Sequence, residues 1–144
     1  MILISGILLV PDIHSTNLSQ EEQLIRVGIG AFNDGLYDIA EKQFSHFVKD
    51  YSNHLKLYDI CYLLGKTLLF EGRLKEARSV FLRIVNGNKN FEYMDHTLFW
   101  LAEIETEFGN VEEARKLFLS IIKRFPKFEW IDYCYYLLGL LDLG

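Results

Sequence analysis

Residues 112–126 read EEARKLFLSIIKRFP, and the same pattern occurs twice earlier, as DIAEKQFSHFV at 38–48 and KEARSVFLRIV at 75–85. In each stretch an alanine is followed four residues later by a phenylalanine. Successive alanines, and successive phenylalanines, stand 37 residues apart. A fixed period of about 20 to 50 residues is typical of architectures in which one small structural unit is stacked repeatedly.

Three other features of the chain keep the same period. FEYMD at 91–95 returns as FEWID at 128–132. One column of residues consists of glycine, and a second consists of glycine or alanine: Gly35, Gly72 and Gly109 in the first, and Gly28, Gly65, Ala102 and Gly139 in the second. Because these features stay in phase over most of the chain, the sequence predicts an internal repeat of 37 residues.

Each period predicts two helices. LYDICYLLGKTLLFEG at 57–72 is apolar along most of its length and ends at Gly72, the residue that a left-handed helix terminus favours. LKEARSVFLRIV at 74–85 then places apolar residues at the i, i+3 and i+4 spacing of an amphipathic helix. The third period repeats this arrangement, and Pro126 marks the end of its second helix.

The repeated residues predict how the helices pack. Two helices joined by a short glycine turn lie antiparallel. Small residues in the column that begins at Gly28, and in the alanine column of Ala40, Ala77 and Ala114, allow the two helices to approach closely. The phenylalanine that follows each alanine then fills the space between one hairpin and the next. Since a single hairpin cannot bury both of its faces, the hairpins are expected to stack.

Composition argues against several classes of function. The chain has 144 residues, of which 50% are hydrophobic, and this matches one globular domain. Its formal charge of −5, with no block of Lys or Arg, argues against a nucleic-acid partner, because phosphate binding needs a basic face. Cys61 and Cys134 form no metal-type pair and the histidines are scattered, so we expect no disulfide framework, metal site or cofactor.

The first ten residues, MILISGILLV, carry no charged side chain. They are too few to span a membrane, which takes about 20 residues, so no integral membrane span is expected. They match the apolar core of a secretory signal, although the basic residues that normally precede that core are missing. We interpret residues 1–19 as an amino-terminal tail that contains a signal peptide, with a misassigned start of the chain as the alternative.

The repeated residues resemble the tetratricopeptide repeat, in which a small residue in the first helix is followed by a glycine turn, an alanine, a phenylalanine and a proline. The third period matches this pattern at Leu98, Leu101, Ala102, Ala114, Phe118, Ile121 and Pro126. The resemblance covers residues 20–144, with repeats near 20–53, 54–90 and 91–127 and a partial repeat at 128–144. It implies an all-α, right-handed superhelical solenoid of antiparallel helix hairpins, with three pairs plus one extra helix.

The period of 37 residues departs from the usual tetratricopeptide length of about 34. We expect the additional residues, such as FEW at 128–130, to lengthen the first helix of the repeat by nearly a turn. Repeats of this length are similar to those of two bacterial envelope proteins, the periplasmic partner of the Tol-Pal system and the outer-membrane-protein assembly lipoprotein. This resemblance implies a location in the periplasm or cell envelope of a bacterium, with the cytoplasm as the alternative.

In tetratricopeptide proteins the first helices line a concave groove that takes an extended peptide or a helix. Counting from the Gly28 column predicts the residues of this groove: Ile25, Ile29, Phe32, Asp59, Tyr62, Lys66, Leu69, His96, Phe99, Glu103, Tyr133, Tyr136 and Leu140. The groove is expected to be apolar and aromatic with a mildly acidic edge, and to suit a basic or apolar segment of a protein partner. Relatives that clamp a chaperone's carboxyl terminus carry Lys, Asn and Arg here, so that specificity is not expected. The alternative is that Tyr62, Phe99 and Tyr136 only pack between adjacent helices.

The sequence offers little support for catalysis. It contains no nucleophile elbow, glycine-rich phosphate loop or metal-ligand spacing. Glu103 and Glu107 share one helical face, which is more often a solvated acidic face than a catalytic pair, and the adjacent Asp95 and His96 are expected to point apart on a helix. We expect a non-enzymatic interaction scaffold. The alternatives are a substrate-positioning or accessory module of a larger enzyme or assembly, and a self-assembling structural repeat.

The last predicted helix, Trp130 to Leu143, carries only two charged residues, Asp132 and Asp142. Terminal repeats of a solenoid normally have a polar outer face, so this helix is expected to expose an apolar surface. Three explanations stay open: the chain is part of a longer array, the helix associates with itself or a partner, or the reading frame is truncated.

Overall fold

A computed structural model describes residues 18–144, and this part of the chain consists of α-helices joined by short turns, with no β-strand. The helices are α1 (Gln20–Asn33), α2 (Tyr37–Asp50), α3 (Leu57–Phe70), α4 (Leu74–Gly87), α5 (Met94–Glu107), α6 (Val111–Arg124) and α7 (Ile131–Leu143). Each helix packs mainly against the helices that precede and follow it in the chain. The predicted all-α solenoid of three helix pairs and one further helix is confirmed. The predicted signal peptide lies outside the described residues.

A glycine in the left-handed region ends the first helix of each hairpin. Gly35, Gly72 and Gly109 have φ values of 75°, 73° and 74°. Around Gly72 the backbone N–H of Arg73 donates to the carbonyl of Leu68 at 2.9 Å, and the N–H of Gly72 donates to the next carbonyl along. These bonds satisfy carbonyls that the helix terminus would leave unpaired, and the conformation costs glycine little because it has no Cβ.

The small residues of the first helices contact the phenylalanines of the second helices. A Cβ on Gly28 would lie 2.5 Å from Cε1 of Phe44, and a Cβ on Gly65 would lie 2.5 Å from Cε1 of Phe81. Both rings are fully buried. Gly139 is in the same column, but no side chain lies within 4 Å of its Cβ position, because α7 packs mainly against α6. Glycine is therefore needed for close packing at the first two positions only.

The connectors between hairpins correct one prediction. The additional residues do not lengthen the first helix, since α5 begins at Met94 and α7 begins at Ile131. They form two successive turns instead: the N–H of Phe128 donates to the carbonyl of Phe125 at 2.9 Å, and the N–H of Ile131 donates to that of Phe128 at 3.0 Å. The same pair of turns occurs before α3 and before α5. Phe128 is buried between hairpins, so tertiary packing favours the turn over another helical turn.

One buried carboxylate joins three helices on the side of α5 that faces α4. Glu105 is 2% exposed and accepts hydrogen bonds from the Arg78 guanidinium of α4 and, at 2.6 Å, from the side-chain amide of Asn110 before α6. A buried charge is tolerated where it is paired and hydrogen-bonded, as it is here. Glu105 therefore has a structural role, which the sequence analysis did not predict.

Both cysteines behave as small core residues. Cys61 and Cys134 are fully buried as free thiols. Burial raises the pKa of each thiol to about 11, with Arg83 opposing the shift at Cys61 and Glu103 adding to it at Cys134. Such thiols stay protonated and unreactive at neutral pH.

Candidate functional site

Side chains from consecutive odd-numbered helices contact one another on one side of the solenoid, which we call the odd-helix face. The Lys66 ammonium of α3 lies 5.5 Å from the ring centroid of Phe32 in α1. The ring centroid of Trp130, just before α7, lies 5.1 Å from that of Phe99 in α5. The predicted groove residues all belong to these four helices.

The predicted groove residues differ in exposure. Phe99 is buried, at 3% exposed, beneath neighbouring rings. Those with a partly buried side chain are Ile25, Phe32, Tyr62, Lys66, Leu69, His96 and Glu103. Those with an exposed side chain are Ile29, Asp59, Tyr133, Tyr136 and Leu140. Phe99 thus lies beneath the odd-helix face, whereas the other twelve residues keep at least part of their side chains accessible.

Aromatic rings form a continuous row across the odd-helix face. Tyr62 of α3 stacks on Tyr93 with ring centroids 5.6 Å apart, and Tyr93 and His96 form an edge-to-face pair with centroids 6.0 Å apart. His96 lies 4.8 Å from Trp130. The row continues with Phe99 and Tyr133, whose ring centroids are 5.9 Å apart. It ends at Tyr136, whose ring stacks on that of Tyr133 with centroids 6.0 Å apart. We call these residues the aromatic row: Tyr62, Tyr93, His96, Phe99, Trp130, Tyr133 and Tyr136.

Two members of the aromatic row were missed by the sequence analysis. Tyr93 and Trp130 lie in the connectors, immediately before α5 and α7, and they stand 37 residues apart. The equivalent residue before α3 is Lys56, so the row begins only at the second repeat. The repetition of FEYMD as FEWID is the signal for these two residues, but it is equally compatible with a longer first helix, and the structure places them in the connectors beside the odd-helix face.

His96 is held between two carboxylates. Its Nδ1 lies 2.8 Å from Oδ1 of Asp95, and its Nε2 lies 2.9 Å from Oε1 of Glu129. The prediction that Asp95 and His96 point apart is therefore wrong. Asp95 lies in the first turn of α5, where backbone N–H groups lack helical partners, and its carboxylate accepts the N–H of His96 at 2.7 Å. That bond places the carboxylate beside the imidazole ring.

Two open clefts lie along the aromatic row, one in each of the later repeats. The α3 cleft has a volume of about 480 Å³ and is lined by Asp59, Tyr62, Leu63, Glu92 and Tyr93. The α5–α7 cleft has a volume of about 410 Å³ and is lined by Phe99, Trp100, Glu103, Trp130 and Tyr133. Both clefts combine aromatic surface with at least one carboxylate.

Glu103 is the carboxylate of the α5–α7 cleft. Burial is the main cause that raises its pKa above the ordinary value of 4.5, and repulsion from Glu107 adds to the shift. Glu107 is exposed and does not line the cleft. The two carboxylates therefore do not line one cavity together, which is the arrangement that would favour the accessory-module alternative.

Lys66 occupies the other end of the face. Its ammonium lies 5.5 Å from the ring centroid of Phe32 and 5.8 Å from that of Tyr62. Burial lowers its pKa. A cation over aromatic rings is attracted by their negative faces, so this lysine already fills the space between α1 and α3.

Between residues 18 and 144, no three side chains of His, Cys, Asp or Glu are grouped closely enough to hold a metal ion. None of the helices in this part of the chain has both the length and the apolar character needed to cross a membrane.

The comparisons with known proteins agree with the fold. The tetratricopeptide repeat family model matches residues 96–127, and the resemblance to this family is confirmed there. A tetratricopeptide repeat protein from Parabacteroides merdae ATCC 43184 superimposes with a TM-score of 0.74 at 21% identity, over 85% of this chain and 45% of that one. The chain thus spans less than half the length of that protein. No curated protein sequence matches the chain.

A second solved structure is similar over nearly its whole length. PcrH, in complex with the chaperone binding region of PopD, superimposes with a TM-score of 0.70 at 20% identity. The match covers 88% of this chain and 96% of PcrH. At this level of identity the two structures establish the class of fold, a tetratricopeptide-type helical solenoid. The more specific likeness to envelope proteins stays a prediction.

Proposed function

We propose that the odd-helix face binds an extended peptide or a helix of a protein partner, and that the chain acts as a non-enzymatic interaction scaffold. The observation that carries this proposal is the aromatic row, which runs without a break from α3 to α7. Its exposed members include Tyr93, Tyr133 and Tyr136, which are 43%, 48% and 59% exposed. Aromatic side chains supply large contact areas and are enriched at protein interfaces.

The charge of the face favours an apolar or basic partner segment. Asp59 and Glu92 line the α3 cleft, and Glu103 lines the α5–α7 cleft. An acidic segment would be repelled by these groups, whereas a basic one would be attracted. The likeness to PcrH, whose structure contains a region of PopD, supports peptide binding as the function of this type of solenoid.

A displayed library of random peptides tests the proposal without knowledge of the natural partner. We expect the wild-type chain to enrich apolar and basic peptides. A Tyr93→Ser, Tyr136→Ser variant, which removes two exposed rings of the aromatic row, is expected to bind the enriched peptides at least tenfold more weakly. The matched control is Ile39→Ser, Leu119→Ser, which removes two exposed apolar side chains from the even-numbered helices α2 and α6.

The control variant is expected to retain wild-type affinity. Equal loss of binding in both variants, or unchanged binding in the Tyr93, Tyr136 variant, would show that the odd-helix face is not the binding surface. Circular dichroism of both variants separates a loss of binding from a loss of fold.

The location that we propose is the bacterial periplasm or cell envelope. The support for it is the apolar run at residues 1–10 and the resemblance of 37-residue repeats to envelope proteins. The test is a fusion of the full sequence to a phosphatase that is active only after export in a bacterial host. Activity that disappears when residues 2–15 are deleted would support export, and equal activity with and without them would contradict it.

Self-association through α7 is a second candidate function. Tyr135, Tyr136, Leu140 and Leu143 expose 56%, 59%, 46% and 86% of their surface, which is unusual for large apolar side chains on one helix. Light scattering over a range of concentrations tests this candidate. A mass that rises with concentration, and that falls to the monomer mass in a Tyr135→Ser, Leu140→Ser variant, would support it; a monomer at all concentrations would exclude it.

A further inference from the structure

We propose that the α5–α7 cleft binds an organic cation, the ammonium or guanidinium end of a lysine or arginine side chain of the partner segment. This inference rests on the proposed function and specifies which chemical group anchors the partner.

The cleft has walls of aromatic rings that are inclined to one another. The indole rings of Trp100 and Trp130 have centroids 5.8 Å apart and planes at 77°. Phe99 lies 5.1 Å from Trp130 at 66°, and 5.9 Å from Tyr133 at 39°. Phe99 is 3% exposed, so its ring lies at the base of the cleft, and the other three rings provide the accessible aromatic surface. The open cleft has a volume of about 410 Å³, which is within the range of ligand pockets, about 300 to 1,000 Å³.

The electrostatics of the cleft favour a positive ligand. The faces of aromatic rings attract cations, and Trp is the strongest of the three aromatic residues in this respect. Glu103 adds a partly buried carboxylate among the rings. Among residues 18–144, no Lys, Arg or His side chain has a nitrogen atom within 4.0 Å of a Glu103 carboxylate oxygen, so no basic side chain of this part of the chain is paired with it.

Other ligand classes fit the cleft less well. A neutral apolar group would bury the rings but would also remove water from the Glu103 carboxylate without replacing the lost hydrogen bonds, which is unfavourable. A metal ion prefers several oxygen or nitrogen ligands, and Glu103 is the one carboxylate that lines this cleft. An alkylammonium or guanidinium group satisfies the carboxylate and the ring faces together.

The preceding repeat has a lysine at the position of Glu103. A step of 37 residues relates Phe99 to Tyr62, Trp130 to Tyr93, and Glu103 to Lys66. The Lys66 ammonium lies 5.5 Å from the ring centroid of Phe32 in α1 and 5.8 Å from that of Tyr62, outside the residues that line the α3 cleft. The later repeat keeps aromatic residues at the two equivalent positions but places a negative side chain where the earlier one has a positive side chain. This change of sign favours a cationic ligand at the later position.

Intrinsic fluorescence reports directly on this cleft, because both tryptophans of the chain, Trp100 and Trp130, line it. The folded chain would be titrated with n-butylammonium and n-butylguanidinium, which mimic the two side chains, and with pentan-1-ol as a neutral analogue, at constant ionic strength. We expect a saturable change for at least one cation, with an apparent Kd at least fivefold lower than that of the alcohol. The ammonium and guanidinium titrations also distinguish a lysine anchor from an arginine anchor.

Three variants make the titration specific. Glu103→Gln is expected to reduce the preference for cations over the alcohol to less than twofold. Glu103→Lys, which reproduces the charge of the preceding repeat, is expected to abolish the saturable response to cations. Glu107→Gln is the matched control, because it removes the same charge from the exposed part of the same helix, and it is expected to keep the fivefold preference.

Equal binding of alcohol and cations, absence of a saturable cation response, or a fivefold preference that survives Glu103→Gln would overturn the inference. Circular dichroism confirms that each variant is folded before its titration is interpreted. If the peptide library still depends on the aromatic row while the cation preference is absent, this inference fails and the proposed function stands. If cations bind in the cleft but substitutions in the aromatic row leave peptide affinity unchanged, the proposed function fails instead.

Discussion

Replacement of Gly65 by alanine tests the packing of one hairpin at a single methyl group. In the native structure the added Cβ would lie 2.5 Å, 2.7 Å and 2.9 Å from Cε1, Cζ and Cδ1 of Phe81. These distances are well inside van der Waals contact, and the ring is fully buried, so it has little room to move. Overpacking of this kind costs about 1 to 3 kcal/mol.

A second effect of the same substitution has the opposite sign. Alanine is favoured over glycine inside a helix by about 1 kcal/mol. The net expectation for Gly65→Ala is a loss of about 0 to 2 kcal/mol in the free energy of unfolding, the difference between the two effects. For Gly139→Ala the steric cost is absent, because no side chain lies within 4 Å. That variant is expected to gain about 0.5 kcal/mol, less than the full propensity because it lies near the end of α7.

The assay is urea unfolding followed by circular dichroism at 222 nm, with the two glycine variants compared side by side. The reasoning would be refuted if the free energies of unfolding of the two variants differed by less than about 0.5 kcal/mol, because the steric contact at Gly65 predicts a larger difference. The Phe81→Leu substitution provides a further check, because it removes the ring that the new methyl group meets. Gly65→Ala should cost less in that background than in the wild type.

Three further predictions concern other parts of the structure. Gly72→Ala should destabilise by about 1 to 2 kcal/mol, because its φ of 73° is unfavourable for a residue with a Cβ, and an unchanged urea midpoint would contradict this. Glu105→Ala should cost about 1 to 3 kcal/mol in the same assay by leaving Arg78 without its buried acceptor, and a neutral effect would show that the contact is not structural. Glu103 has a folded-state pKa raised by burial and then by Glu107, so its ionisation should reduce stability as pH rises through and above 4.5. Between pH 4 and 7, the urea midpoint of Glu103→Gln should therefore increase relative to that of the wild type as pH rises. A difference between the two midpoints that does not change with pH would contradict this prediction.

The fold follows from local steric requirements that can be recognised in the sequence. Glycine at Gly72 allows the left-handed turn, and the pairing of Gly65 with Phe81 requires contact across one hairpin. Both requirements act over a few residues and recur with the period, so the helix pairs and their stacking could be predicted without coordinates.

The candidate site was harder to predict because it depends on contacts between repeats. Trp130 belongs to a connector whose turns are stabilised by the burial of neighbouring Phe128, and helix propensity alone does not reveal this choice. Phe99 was expected to face a ligand, yet rings from the following repeat cover it. The contact between Asp95 and His96 arises from the free N–H groups of the first helical turn, an effect that a helical projection of side chains ignores.

The most direct test of the account maps the binding surface on the folded chain. Backbone and indole N–H resonances would be recorded by two-dimensional NMR while the best peptide from the library is added. The account predicts that the largest shift changes lie on the odd-helix face, at Tyr62, Tyr93 and Tyr136 and at the indole N–H groups of Trp100 and Trp130. Changes concentrated on α2, α4 and α6, with those residues unmoved, would contradict it.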